Sequence, residues 1–126
     1  MSFRILVVDD DADIRDILTR LLKRSGYIVE HACDGEEALA AVREHVPDLM
    51  LLDICLPRMT GLEVLLHLRE EQCQPRTIAL SGTSNDRIAQ STRDLGAVDF
   101  VAKPFDFPAL TAKIGANLVA GVTVAG

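Results

Sequence analysis

The sequence predicts an α/β fold in which a single sheet of five parallel strands carries helices on both faces. Short apolar segments alternate with amphipathic ones in the order βαβαβαβαβα, and successive strand ends lie 21 to 28 residues apart, enough for one helix and two turns. The first and third apolar segments, FRILVV and DLMLL, are almost continuously apolar, as strands covered on both faces are. This alternation implies parallel strands joined by right-handed crossovers.

The strands and the first helix follow directly from the hydrophobic pattern. The strand candidates are residues 3–8, 27–32, 48–52, 77–80 and 98–102. The first helix is predicted to begin at the N-cap Asp11, with Asp13 in its first turn complementing the helix dipole, and to end at Gly26. Its apolar residues keep the spacing of one buried stripe. They are Ile14, Ile17, Leu18, Leu21 and Leu22.

The second and third helices begin with residue pairs at the spacing of a capping box. These pairs are Asp34 with Glu37 and Thr60 with Glu63. Each pair precedes an apolar segment, so both helices are expected to start there.

The last two helices have weaker patterns. The fourth is predicted over about residues 85–95, ended by Gly96, with one exposed side because few of its residues are apolar. The fifth is predicted to be capped by Asp106, with Pro108 tolerated in its first turn.

Composition limits the function classes. The 126 residues are 48% hydrophobic and 25% charged, which suits one globular domain. The net charge of −6 argues against a nucleic-acid-binding face. We find neither an apolar run long enough to cross a membrane nor a signal peptide, so we expect a cytoplasmic protein without membrane contact. The cysteines and histidines show no metal-ligand spacing. They are Cys33, Cys55, Cys73, His31, His45 and His67.

Polar side chains stand at four of the five predicted strand ends. Asp9 and Asp10 follow the first strand, Asp53 the third, Ser81 the fourth and Lys103 the fifth. In an open parallel sheet, ligands bind beyond these carboxyl ends. Carboxylates without nearby histidine or cysteine ligands suit Mg²⁺, and the hydroxyl and ammonium groups suit an anion beside it. Any one of these residues alone would be an ordinary turn or surface residue. Together they point to phosphoryl chemistry.

The chain resembles the receiver domain of bacterial two-component response regulators and is similar to the single-domain chemotaxis regulator. The resemblance covers roughly residues 3–118 and rests on VVDDD, LLDICLPRMTG, LSGT and FVAKPF, which occur in the family's order. It implies a flavodoxin-like (βα)5 fold, doubly wound, with strand order 2-1-3-4-5. It also places the domain at residues 1–119, leaving residues 120–126 as a C-terminal tail or the start of a linker.

The family's roles carry over to individual residues. Asp53 is expected to accept a phosphoryl group from the histidine of a sensor kinase or of a phosphotransfer protein. Mg²⁺ (or Mn²⁺) is expected on Asp10, Asp53 and the backbone carbonyl of Cys55, with Asp9 acting through water. Lys103 and Ser81 are expected to bind phosphoryl oxygens. The resemblance further implies a cis peptide at Pro104 and a loop shaped by Pro57 and Gly61.

The resemblance also implies how a signal leaves the domain. Ser81 and Phe100 are expected to move together and to change the surface formed by the fourth helix, fifth strand and fifth helix. That surface is expected to contact a downstream protein or an output domain, and the chain to be a monomer or a phosphorylation-dependent dimer. Phe100 could equally be an ordinary core residue, and as it lacks the hydroxyl of the tyrosine in some relatives, any switch would act through packing.

Alternatives remain open at this stage. Cys55, two positions after the acceptor, gives an attacking water no strong hydrogen-bonding side chain, so we expect it to tune the lifetime of the acyl phosphate.

A binding module that never accepts phosphate is the second reading, although all five strand-end residues named above are present. A Mg²⁺-dependent phosphatase with an aspartate nucleophile is the third, but its D-x-D motif would follow the first strand. On the leading reading the domain is not an enzyme, since it would catalyse only its own phosphorylation and dephosphorylation.

Overall fold

Ten elements alternate along the chain as the sequence predicts. The computed structural model describes residues 2–82 and 85–125, with side chains to residue 118, so the side chains of the predicted tail 120–126 lie outside the described residues. The strands are β1 (Arg4–Val8), β2 (Ile28–Ala32), β3 (Leu49–Asp53), β4 (Thr77–Ser81) and β5 (Asp99–Ala102). The helices are α1 (Ala12–Arg24), α2 (Gly35–Glu44), α3 (Gly61–Glu70), α4 (Asp86–Asp94) and α5 (Phe107–Ala125).

The five strands form one parallel sheet in the order β2-β1-β3-β4-β5, which confirms the predicted topology. β1 and β3 are central, and every residue of β3 is buried. Strand β2 lies at an edge of the sheet and is largely exposed. The continuous apolar character of β1 and β3 therefore reflects burial on both faces.

Alternate residues of β1 divide between two hydrophobic cores, one on each face of the sheet. Leu6 and Val8 join the core that contains the buried side chains of α2 and α3. Ile5 and Val7 join the core that contains Leu18 of α1 and buried residues of α5. This division follows from the two-residue period of a strand. None of the helices in the described ranges is long and apolar enough to cross a bilayer.

The buried stripe of α1 is narrower than predicted. Leu18 and Leu22 are fully buried, whereas Ile17, which the apolar spacing also placed in the stripe, is 43% exposed. A helix packed on a flat sheet buries only the part of its apolar face that contacts the strands. Ile17 lies outside that contact, so its prediction was wrong.

The predicted helix ends are confirmed, with one difference. The Asp11 side chain accepts the amides of Asp13 and Ile14, and positive φ angles at Gly26 and Gly96 follow the ends of α1 and α4. Thr60 and Glu63 form the full capping box. The box predicted for Asp34 and Glu37 is incomplete.

At α2, the first half of the box is present because Asp34 accepts the Glu37 amide. The Glu37 carboxylate, however, accepts the amide of Cys33 instead of that of the N-cap residue. The extended backbone of Asp34, with φ −152° and ψ 177°, accompanies this arrangement. The amide one residue earlier is therefore the one that Glu37 satisfies.

Candidate functional site

The sheet register brings the predicted site residues to one edge. Val8, the last residue of β1, pairs with Leu52, so Asp9 and Asp53 are the next residues on adjacent strands. Asp53 in turn pairs with Leu80, which places Ser81 one residue further along β4. Because parallel strands end at the same edge, side chains from three different strands converge there.

Three carboxylates form the centre of the site. Asp9, Asp10 and Asp53 each offer an oxygen, and these oxygens all lie within 4.8 Å of one another. Asp9 and Asp53 are buried, at 0% and 3% exposure, whereas Asp10 is exposed. Two carboxylates are thus held away from solvent, and the third faces it.

Lys103 bridges the two buried carboxylates. Its Nζ lies 2.6 Å from Asp9 Oδ2 and 3.1 Å from Asp53 Oδ2. The peptide bond from Lys103 to Pro104 is cis, and the Lys103 amide donates to the Ser81 carbonyl at 2.7 Å. The lysine is therefore tied to β4 through its backbone and to β1 and β3 through its side chain.

Local hydrogen bonds divide the aspartates that follow β1 between two tasks. Asp9 Oδ1 accepts the amide of Asp11 at 2.9 Å, which with the Lys103 contact occupies both carboxylate oxygens. Asp11 is turned the other way, as the N-cap of α1. Arg15, on the second turn of that helix, donates to the Asp9 carbonyl at 2.7 Å. Asp10 is the exposed member of the cluster of three carboxylates.

The loop after β3 is closed tightly around the predicted acceptor. Asp53 Oδ1 accepts the amide of Cys55 at 2.9 Å, and the Gly61 amide donates to the Ile54 carbonyl at 2.9 Å. A Cβ at Gly61 would lie 2.6 Å from the Asp53 carbonyl oxygen and 2.7 Å from the Ile54 Cα. Only glycine fits so close to that backbone. Pro57 contributes its carbonyl, which accepts the Met59 amide at 2.7 Å.

Burial and charge act in opposite directions on the two ionisable groups at the centre. Burial raises the pKa of Asp53, and the nearby charge of Asp9 adds to that shift, while the Cys55 amide and Lys103 oppose it. Burial by itself would lower the pKa of Lys103, but its hydrogen bonds and charge attraction to Asp9 and Asp53 outweigh burial and raise it. The lysine is consequently held in its charged form.

The donor set fits a hard divalent cation. The clustered ligand atoms are all carboxylate oxygens, the type that Mg²⁺ prefers. The backbone of Cys55, whose carbonyl is the further predicted ligand, is held next to them because its amide donates to Asp53. A cation there would neutralise carboxylates whose mutual repulsion Lys103 only partly offsets.

The two predicted switch residues occupy different environments. Ser81 is fully buried at the end of β4. Phe100, on the neighbouring strand β5, is partly buried and packs against the core that contains Ala97, as does Ile88 of α4. The chain after Gly82 begins with Thr83, the last residue of the LSGT motif, which lies outside the described residues. Ser81 and Phe100 are therefore on neighbouring strands, with α4 packed on the same face as Phe100.

Sequence reasoning missed two arginines at the rim of the site. Arg15 holds the Asp9 carbonyl, and Arg58 lies in the loop after β3, where it pairs with Asp34 at 2.9 Å. Each is a single basic residue among acidic or apolar neighbours, and that isolation was the available signal. The partner of Arg58 could not be identified from the sequence, because it lies 24 residues away.

A second group of possible ligands is occupied by the start of α2. Cys33, Asp34 and Glu37 lie close enough to hold an ion. Asp34, however, accepts the Glu37 amide and pairs with Arg58, and Glu37 accepts the Cys33 amide. We interpret this group as the capped beginning of a helix.

Comparison with known sequences gives one consistent result. The profile of the response regulator receiver domain matches residues 5–115. Response regulator MprA of Mycobacterium ulcerans is 42% identical over 120 residues, which cover 94% of this chain and 51% of that protein. The same regulator of Mycobacterium tuberculosis strain H37Rv has the same identity and coverage. The chain thus spans about half the length of these curated relatives.

Solved structures agree with the sequence comparison. A CheY-like receiver domain protein from Methanospirillum hungatei is 32% identical, with a TM-score of 0.90 over 95% of this chain and 96% of that one. Response regulator protein TrrA from Thermotoga maritima, solved in complex with Mg²⁺ and BeF, is 37% identical, with a TM-score of 0.81 over 93% of this chain and 99% of that one.

Proposed function

This chain belongs to the response regulator receiver domain family of two-component systems, and we propose that it accepts a phosphoryl group on Asp53 in a Mg²⁺-dependent reaction. The donor would be the phosphorylated histidine of a sensor kinase or of a histidine phosphotransfer protein. One observation carries the proposal: Asp9, Asp10, Asp53 and Lys103 converge from three strand ends at the edge where the fold binds ligands.

Asp53 has the surroundings of a nucleophile. An oxygen of its carboxylate would form a bond to phosphorus as the bond from phosphorus to the donor imidazole breaks, leaving the electron pair on that nitrogen. Burial raises the pKa of Asp53, which makes its carboxylate more basic than an exposed one. Lys103 already lies 3.1 Å from Asp53 Oδ2, so it is placed to pair with a phosphoryl oxygen held there.

A divalent cation would be held by Asp10, Asp53 and the Cys55 carbonyl, with Asp9 reaching it through water. When bound, Mg²⁺ or Mn²⁺ would neutralise negative charge on the carboxylates and on the phosphoryl group. The exposure of Asp10 supports its role as a direct ligand, and the burial of Asp9 against Lys103 supports the indirect one. The similar protein TrrA was solved in complex with Mg²⁺ and BeF, which supports the proposal that this chain also binds Mg²⁺.

Signalling would follow from a shift between two conformations. A phosphoryl group on Asp53 would be hydrogen-bonded by the Ser81 hydroxyl, and Phe100 would repack against α4 as Ser81 moves. The α4-β5-α5 surface would then change its affinity for a downstream protein, for an output domain or for a second copy of the chain. As a signalling domain, it would not turn over small substrates.

Intact-mass measurement tests the proposal. The protein is incubated with acetyl phosphate with and without Mg²⁺, and Asp53→Asn is treated in parallel. We expect a Mg²⁺-dependent phosphoryl adduct on the wild type and none on Asp53→Asn. Absence of an adduct on the wild type would contradict the proposal and favour a binding module of the same fold. An adduct retained by Asp53→Asn would move the acceptor elsewhere.

A further inference from the structure

The loop between Ile54 and Gly61 carries the Cys55 carbonyl at one end and a strained residue in its middle. Arg58 has φ +64°, in the left-handed region that side chains with a Cβ rarely adopt. The loop ends are pinned by the hydrogen bond from the Gly61 amide to the Ile54 carbonyl, and the Met59 amide donates to the Pro57 carbonyl. Left-handed geometry at a non-glycine residue needs something nearby to hold it in place.

The holding contact is made with the start of α2. The Arg58 guanidinium lies 2.9 Å from Asp34 Oδ2, and Asp34 is the N-cap of that helix, with its side chain 17% exposed. Next to the ion pair, the backbone of Gly35 lies close to Met59. A Cβ added at Gly35 would lie 3.0 Å from the Met59 Cβ and 3.0 Å from the Met59 sulfur. Two adjacent contacts therefore join the middle of the loop to one fixed helix end.

Asp34 is a rigid partner for Arg58 because its other carboxylate oxygen caps α2. Its Oδ1 accepts the Glu37 amide at 2.8 Å and its Oδ2 accepts from Arg58. An exposed ion pair between two mobile side chains contributes little. Here one partner is already fixed by its capping bond, so forming the pair costs less side-chain entropy.

We propose that the Arg58–Asp34 ion pair is a positioning contact that holds the loop after β3 in the conformation that binds the divalent cation. This inference rests on the proposed function, because the Cys55 carbonyl and Asp53 flank the loop's first residue. Asp53 Oδ1 accepts the Cys55 amide, so a displacement of the loop also displaces the carboxylate. Neither arginine nor aspartate is itself a ligand, and the effect is on the affinity for the cation.

The test compares Arg58→Gln with Arg43→Gln. Arg43, near the end of α2, forms a two-contact ion pair with Glu71, the C-cap residue of α3. Both contacts are at 2.7 Å, and neither involves the loop after β3. Both variants lose one positive charge, which by itself would slightly strengthen cation binding. The Mg²⁺ dissociation constant of the unphosphorylated protein is measured by NMR titration of the Cys55 amide, with thermal unfolding as the check on folding.

We expect Arg58→Gln to weaken Mg²⁺ binding about threefold to tenfold, below the roughly 10- to 100-fold range for residues that directly orient a ligand. Arg43→Gln should bind as the wild type does, and Arg58→Lys should recover part of the loss. Asp34→Asn keeps the oxygen that caps α2 but loses the charge that pairs with Arg58, so it should weaken Mg²⁺ binding to a similar degree. The double variant Arg58→Gln/Asp34→Asn should be no weaker than the weaker single variant, as expected for two residues acting through one contact.

Other outcomes separate the two proposals. If the wild type binds Mg²⁺ and Arg58→Gln binds it equally well, or if the two single effects add in the double variant, the positioning role is wrong and the proposed function stands. If the wild type shows no Mg²⁺-dependent shift of the Cys55 amide, the proposed function is wrong and this inference with it.

Discussion

At the scale of single residues, Lys103 decides the charge balance of the site. It is the cation that contacts both Asp9 and Asp53, and the Asp9 side chain is completely buried. Removing one partner of a buried ion pair leaves an uncompensated charge, which is far more costly than the pair itself is stabilising. The stability of the metal-free protein should therefore depend on this one side chain.

We expect Lys103→Met to lower the free energy of unfolding by about 3 kcal/mol at neutral pH without Mg²⁺. Mg²⁺ should restore more stability to the variant than it adds to the wild type, because a divalent cation can neutralise the same carboxylates. Urea unfolding with and without Mg²⁺ measures both effects. Equal stabilisation of the two proteins by Mg²⁺ would show that Lys103 and the cation do not share these carboxylates.

Asp53 makes stability depend on pH in a definite direction. Burial raises its pKa in the folded protein above the ordinary value of 3.8, so the folded state binds the proton more tightly than the unfolded state does. The resulting contribution to stability is complete below the unfolded pKa and is lost as the pH rises through the folded pKa. Ionised Asp53 is thus destabilising at neutral pH in the absence of a cation.

Asp53→Asn should consequently be more stable than the wild type at pH 7 in metal-free buffer. The difference should shrink as the pH falls through the raised pKa of Asp53, and it should be smallest below the ordinary aspartate pKa, where Asp53 is protonated in both states. Denaturant unfolding at a series of pH values checks this. A variant that is less stable than the wild type at pH 7 would mean that the Lys103 attraction outweighs burial at Asp53.

At the scale of elements, the hydrophobic periodicity predicted the strands and helices but not the individual side-chain contacts between them. All five strands, the starts of the five helices and the ends of α1 and α4 were predicted within a few residues, because strand and helix periods differ and glycine or capping residues mark these boundaries. The stripe of α1 was too wide at Ile17, since spacing defines a face but not the width of its contact. The Glu37 bond to the Cys33 amide and the ion pair of Arg58 depend on three-dimensional approach, which spacing does not record.

Leu18 and Ile17 are adjacent in α1 but differ in burial, so their truncation should differ in its effect on stability. Leu18→Ala should lower the free energy of unfolding by about 2–5 kcal/mol, because it leaves a cavity in the core beside β1. Ile17→Ala, one position earlier, should change it by less than about 1 kcal/mol, because Ile17 is 43% exposed. Chemical denaturation of both variants compares them, and similar losses would mean that Ile17 is buried in solution.

Gly61 lies where the loop after β3 meets α3. Gly61→Ala should lower the free energy of unfolding by about 3 kcal/mol, since the new Cβ would meet backbone atoms of Asp53 and Ile54 that cannot move independently. Gly115→Ala is the matched control within α5, where the nearest atom is 3.9 Å away. It should stabilise the protein by about 0.5–1 kcal/mol through helix propensity. Loss of stability in both variants would contradict this explanation.

At the scale of the whole molecule, topology turns scattered residues into one site. Lys103 is 94 residues from Asp9 and 50 residues from Asp53 in sequence. The three side chains nevertheless meet, because β1, β3 and β5 end at the same edge of a parallel sheet. The sequence predicted this convergence from strand ends alone. It did not predict that Asp9 would be buried against Lys103 while Asp10 stays exposed, because that division depends on the turn into α1.

Asp53, at the middle of this convergence, is the residue that we propose carries the phosphoryl group. The most direct measurement is reduction of the acetyl phosphate-treated protein with borohydride, which converts an aspartyl phosphate to homoserine, followed by peptide mapping. We expect homoserine at position 53, formed only when Mg²⁺ was present. Homoserine at position 9 or 10, or an unmodified Asp53 in a protein that carries the phosphoryl adduct, would show that Asp53 is not the acceptor.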